Sequence, residues 1–215
     1  MSTPPAVEDF LVAAGSVVDL LGRVEVVTRW SDPSALPQMS VAALAAHLGS
    51  QVLTVHAAVT EGAGVTQRDP VHLLEHYDQV AWVRDDVDAD SNRTIREGAE
   101  EAAGVGHDRL LRHVQQAVDD LRLALTAPEL PPAITMPWWD WSLSFEDFLV
   151  TRVMEIVVHS DDLAVSVGID APVLPEPVLG PVLALLVGIS LRRHGQAAVV
   201  RALSRRERAG DVSAF

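Results

Sequence analysis

The chain has 215 residues, no cysteine and a formal net charge of −14, and all 16 of its Lys/Arg positions are arginine. Without cysteine there is no disulfide, thiolate metal site or cysteine nucleophile, and without lysine there is no Schiff-base chemistry. So acidic a chain is a poor match for nucleic acid or an anionic membrane, which call for clustered cations, while its length suits one well-buried domain or a domain with a small appendage.

Helical periodicity runs through most of the sequence, and strand alternation is scarce. Phe10, Leu11, Ala14, Val17, Val18, Leu21 and Val24 recur at three- and four-residue steps and predict a first helix over about 6–29. The chain is read as having no apolar run of about 18 residues free of charge, and "MSTPPAVEDF" lacks a basic stretch leading into an apolar one. The expectation is neither a membrane span nor a signal peptide, and a cytoplasmic protein. After the loop "SDPSALPQM", Ser40 caps a second helix to about Glu61, striped by Val41, Leu44, Leu48, Val52, Val55 and Val59. A short helix is expected to open at Asp69-Pro70. A third long helix is read over 91–127, with glycines at 98, 104 and 106 as its weak points. The connector "PELPPAITMPWWDWS" is rich in proline and tryptophan, a fourth helix covers 144–167, and a fifth apolar segment runs from Glu176 to about Leu191 before the basic "RALSRRERAG". Four long helices joined by turn-rich connections describe an all-α helix bundle.

The segment "RVMEIVVHSDDLA" has the apolar density of a buried helix, yet Arg152, Glu155, His159 and Asp162 interrupt it. At about 100° per residue these four fall within an arc of about 80°, one continuous polar stripe. Phe145, Phe148 and Leu163 border that arc, so the stripe is expected to face a partly apolar cavity rather than water. Buried charge must be paired or bind a metal. Glu155 and His159, one turn apart, suit two ligands of a single divalent ion; an internal salt-bridge ladder without metal satisfies the same spacing. A third ligand would come from another helix, where His47 and His56 sit on opposite edges of the apolar stripe, and periodicity does not choose between them.

"MSVAALAAHLGSQV", followed by "TRVMEIVVHSDDLAVSVG", resembles the mycothiol-dependent maleylpyruvate isomerase N-terminal family, part of the DinB-like superfamily of metal-binding four-helix bundles. The likeness covers about residues 8–168. It implies a DinB-like bundle over 1–170 with an additional short helix, and a helical extension over 171–215 packed on it. It implies a metal triad of His47, Glu155 and His159, with zinc or nickel as the ion, and leaves His56 a structural or surface residue. Two imidazoles and a carboxylate leave a coordination position open, as in catalytic sites. The resemblance further implies mycothiol as a thiol cosubstrate, activated there to attack a small electrophile. Arg152 would then orient Glu155 or pair with an anionic substrate, and Asp162 would hold His159. Trp138, Trp139, Trp141 and Phe148 are candidates for the pocket wall.

The family's isomerase type carries a further domain resembling a sterol-carrier fold, for which the 47 residues after Gly168 are too few. The expectation narrows to a metal-assisted thiol transfer or isomerase-like reaction by a monomer or homodimer; the alternatives are a non-catalytic metal- or ligand-binding bundle and a structural protein without metal. "HLLEH" at 72–76 matches an inverted zinc-protease motif, but a helical wheel turns His72, Glu75 and His76 away from Leu74, Tyr77 and Ala81, toward water. His107, His113 and His194 are read as surface or helix-end residues. Arg201, Arg205, Arg206 and Arg208 form a terminal cluster, either solvated or folded back over the pocket.

Overall fold

The computed structural model describes residues 4–80, 89–127 and 129–215, with Ser91 described in its backbone only. Ala81 and Pro128, which figure in the sequence reading, lie outside the described residues. The architecture is an all-α bundle of α1 (Pro5–Leu21), α3 (Val41–Thr60), α6 (His107–Ala124) and α7 (Phe145–Val167), in which α1 and α3 each pack on both α6 and α7. Four further segments decorate it within the matched periodicity or beyond it: α2 (Val24–Thr28), α4 (Leu73–Gln79), α5 (Asp90–Ala103) on α3, and α8 (Glu176–His194) on α1, α4 and α7. Packed on α8 is α9 (Gln196–Ser204), followed by a single 3₁₀ turn at Arg206–Arg208.

The core is the set of stripes read from the sequence. On α1 the buried face is Val7, Phe10, Ala13, Ala14, Val17, Leu20 and Leu21. Helix α3 corrects the expectation that no apolar run of about 18 residues is free of charge: Val41–Thr60 has no Asp, Glu, Lys or Arg and a mean hydropathy of 1.3, and 67% of that window is buried inside the bundle. Its Ser40 cap is present, the hydroxyl accepting from the Ala43 N–H at 3.0 Å. Close packing against α6 explains Gly49, where an added Cβ would lie 2.9 Å from Val114 Cγ2. On α7, Ser144 accepts from the Asp147 N–H at 3.0 Å, and Gly168 ends the helix in the left-handed region at φ 73°.

Several expected boundaries move. The first helix breaks after Leu21, with Gly22 closing it and the short α2 following. The expected 91–127 helix is two, because Gly106 at φ 83° is a conformation that a side chain resists. Asp69 and Pro70 do not open a helix. Ser142 holds that stretch extended: its hydroxyl donates to the Asp69 carbonyl at 3.0 Å and its carbonyl accepts from the Val71 N–H at 2.9 Å, so α4 starts at Leu73. The fifth helix continues to His194, and the basic stretch beyond Gly195 is itself helical.

Three two-residue strands, β1 (Val65–Thr66), β2 (Ala133–Ile134) and β3 (Leu143–Ser144), form an antiparallel ribbon in the order β1-β2-β3. Val65 pairs with Ile134, and Ile134 with Leu143. Gly64, at φ 72°, lets the Thr135 carbonyl approach, since a Cβ there would sit 2.7 Å from that oxygen. β3 runs directly into α7, so the ribbon fixes where the polar stripe begins.

Candidate metal centre

Helices α3 and α7, in contact along the bundle, bring together residues more than a hundred positions apart. His47 lies on α3, and Glu155 and His159 lie one turn apart on α7. One ligand atom from each lies within 4.8 Å of the others. His159 Nε2 is 3.1 Å from Glu155 Oε2, and His47 Nε2 is 3.8 Å from the same oxygen. Ligands about 2.0–2.1 Å from a tetrahedral ion stand about 3.3–3.4 Å apart, so the cluster has the size a zinc-like ion needs. Their side chains are only 20%, 12% and 18% exposed. The donor set therefore fits one divalent metal.

The surrounding contacts aim these atoms. His159 Nδ1 is 2.9 Å from Asp162 Oδ2, a contact that places the Nδ1 proton on the carboxylate side and turns Nε2 toward Glu155. Burial opposes charge on Glu155, but hydrogen bonds from His159 and His47, and the charges of His159 and Arg152, outweigh it and hold the carboxyl well below the usual range. Burial likewise opposes charge on His159, yet Asp162 and Glu155 prevail and raise its pKa to about 9. Without metal, the imidazolium thus bridges two carboxylates.

Arg152 does not hydrogen-bond Glu155. Its Nη1 donates to Gln51 Oε1 at 2.7 Å and its Nε to Thr151 Oγ1 at 3.1 Å, while the guanidinium lies 5.5 Å from the Phe148 ring centroid. Gln51 is the site residue that sequence reasoning missed. It is 3% exposed and sits four residues after His47 on the same face. Because its oxygen takes the arginine proton, its amide nitrogen faces His47, 3.4 Å from Nε2 and 3.0 Å from the backbone carbonyl. A buried glutamine one turn from a histidine was the available signal.

The cluster opens into a cavity of about 670 Å³. Its walls include Met39, Met136, Trp138, Trp139 and Val158, with Arg96 from α5, and Arg193 and Phe215 from the C-terminal region. Of the expected wall residues, Trp138 and Trp139 line it. Trp141 stacks behind Trp139 with centroids 5.9 Å apart, and Phe148 is fully buried beneath Arg152. The arginine cluster at 201–208 does not cover this opening; Arg201, Arg205 and Arg208 border a separate shallow pocket with Gln196 and Val200.

One histidine departs from expectation, and His107 and His194 stand at helix ends as read. His76 does not face water: it is 2% exposed, lines the cavity and accepts from Trp141 Nε1 at 3.0 Å. His72 and Glu75 are exposed as expected, whereas His76 is drawn inward by Trp141 and by the Trp139 ring, 4.6 Å away between centroids. His107 is anchored, its Nε2 donating to the Leu21 carbonyl at 2.7 Å, which ties the start of α6 to the end of α1. His194 donates from Nε2 to the Ser213 carbonyl at 2.8 Å. His56 pairs with Asp120 on α6 at 3.2 Å, away from the triad.

A family model described as the mycothiol maleylpyruvate isomerase N-terminal domain matches residues 12–164, from within α1 to the end of the polar stripe. No curated protein matches the chain, and no solved structure does.

Proposed function

Since the chain belongs to the mycothiol maleylpyruvate isomerase N-terminal domain family, we propose that it is a metal-dependent cytoplasmic enzyme that activates a low-molecular-weight thiol, mycothiol, against a small electrophile. The observation that carries this reading is the convergence of His47, Glu155 and His159 within 4.8 Å at a cavity large enough for a small organic substrate. Those three residues would hold one divalent ion, zinc before nickel given two imidazoles and a carboxylate. Such an ion supplies the positive charge that deprotonates an incoming thiol at neutral pH.

The chain's own residues do the remaining work. Asp162 fixes the His159 tautomer, and Arg152 holds the Gln51 amide so that it faces His47. Trp139, Met39 and Met136 give the cavity apolar walls, beside which charge interactions are stronger than in water. Because the chain has neither cysteine nor lysine, the thiol nucleophile must arrive as a cosubstrate.

The test is metal analysis of tag-free protein beside His159→Ala, followed by thiol consumption with mycothiol and a panel of electrophiles. About one equivalent of metal, lost in the variant, together with thiol consumption supports the proposal. Metal without thiol consumption gives the family's bundle a binding role in place of turnover. No metal after incubation with zinc or nickel removes the centre.

A further inference from the structure

Charge is spread unevenly along the chain. Acids outnumber arginines 30 to 16 over the whole sequence, yet between Gln196 and Arg208 the arginines at 201, 205, 206 and 208 meet a single acid, Glu207. Helix α9 carries the first of them and ends at Ser204. Arg205, at φ −143° and ψ 90°, leaves the helix, and the 3₁₀ turn bends the chain back, the Arg208 N–H donating to the Arg205 carbonyl at 3.0 Å. The bend sorts the charges. Arg201, Arg205 and Arg208 border one concavity of about 280 Å³ with Gln196, Ala197, Val200 and Ser204, whereas Arg206 and Glu207 stand outside it.

Three guanidiniums around one space repel one another, and among the described residues little on the protein offsets that. Arg201 and Arg205, one turn apart, form no ion pair there. Arg208 reaches only Glu207, at 3.8 Å, with both side chains more than half exposed, a pairing that contributes little. The Ser204 hydroxyl gives its proton to the Val200 carbonyl at 2.6 Å, so the donors that remain around the concavity are the guanidiniums and the Gln196 amide. No acidic side chain borders it among the described residues. The concavity shares no lining residue with the cavity at the metal centre, and it lies wholly beyond the residues that the family model matches.

We infer that this concavity is a second binding site, for the phosphate group of a small phosphate monoester. Such a group carries a charge of about −1.5 to −2 near pH 7 and presents three terminal oxygens in different directions, one for each guanidinium. A carboxylate presents two oxygens in one plane, which a single arginine fork already satisfies. Ala197 and Val200 make one wall apolar, and the organic part of the ester packs there. Nucleic acid and anionic membranes offer extended arrays of phosphate, which a chain of net charge −14 repels as a whole. A compact dianion meets the three arginines without meeting the rest of that charge.

The probe is phenyl phosphate, titrated calorimetrically into metal-free protein, so that the outcome is read apart from that of the metal test. The wild type is expected to bind one equivalent with a Kd of about 0.1–1 mM. Arg205→Gln, exposed and tolerant of helix, is expected to bind about tenfold more weakly, the loss of one charged donor. Arg206→Gln removes the same charge from the same stretch but not from the concavity, and is expected to change affinity by less than about twofold. Phthalate, an aromatic dianion with planar carboxylates, is expected to bind about tenfold more weakly than phenyl phosphate. Inorganic phosphate should also bind more weakly, because it leaves Ala197 and Val200 uncovered. No saturable binding, an unchanged Arg205→Gln, an equal loss in Arg206→Gln, or phthalate bound as tightly overturns the site. Equal affinity for inorganic phosphate overturns the ester and leaves an adventitious ion only. Co-sedimentation with phosphatidylserine vesicles that Arg205→Gln abolishes assigns the arginines to a membrane surface and overturns the inference as well.

Discussion

At the scale of single residues, the site is a set of protons kept or removed by neighbours. His159 shows this most directly, because the ion that would bind it must displace a proton held up to about pH 9. Zinc affinity is therefore expected to rise about tenfold per pH unit below that value and to level above it. Calorimetric titration of zinc in buffers of different ionisation enthalpy checks this, since close to one proton should be released per ion at neutral pH. Asp162→Asn keeps the shape but not the charge that orients His159. It is expected to weaken zinc binding by 10- to 100-fold, measured by competition with a chromophoric chelator. His76 runs in the opposite sense. Its pKa falls from 6.5 to about 4 on folding, so between those values the unfolded chain binds a proton that the folded chain refuses. Stability thus rises with pH from about 4 to 6.5 through this group, by up to about 3 kcal/mol. Denaturant melts across that window should show a flatter rise for His76→Gln than for the wild type.

At the scale of elements, the four bundle helices were legible because each carries a single apolar stripe long enough to set its period. Ser40 marked one start correctly, since a cap is a local chemical fact. What escaped were features set by neighbours. Gly106 breaks the third helix through its backbone angle, whereas Gly98, in the same predicted helix, continues undisturbed. The ribbon of two-residue strands is too short to have a period at all. In the candidate site, the α7 stripe was readable from spacing, and the resemblance selected His47. His76 was not readable as a cavity residue, because it is defined by what another element places beside it, and Gln51 left only the signal of a glutamine one turn after His47. Gly188 is the element-scale test. A Cβ there would lie 2.9 Å from Leu74 Cδ2, so Gly188→Val must displace the Leu74 side chain that joins α4 to α8. The expected cost is about 1–3 kcal/mol, read by thermal or chemical denaturation, with the zinc content unchanged.

At the scale of the whole molecule, burial is uneven. Helix α3 is buried along nearly its whole length, whereas α9 buries only Val199. Amide exchange is expected to be slowest in α3, opening only with global unfolding, and fast in α9. Zinc should slow α3 and α7 together, because its proposed ligands span both. Mass-spectrometric hydrogen exchange with and without zinc reads this directly. Phe215, at the cavity's edge beside Tyr77 with ring centroids 6.3 Å apart, narrows the opening from the far end of the chain. Phe215→Ala is expected to admit bulkier small molecules while leaving zinc affinity within about twofold.

Part of the cavity lining comes from a stretch of sequence apart from the triad. His47, Glu155 and His159 lie inside the span that the family model matches, as do the tryptophan and methionine walls, whereas Arg193 and Phe215 lie beyond it. Part of the selectivity is thereby written on separable text. Substitutions after position 170 can retune which molecule enters without touching the atoms that meet it, so a lineage with this arrangement can change its diet while keeping its teeth.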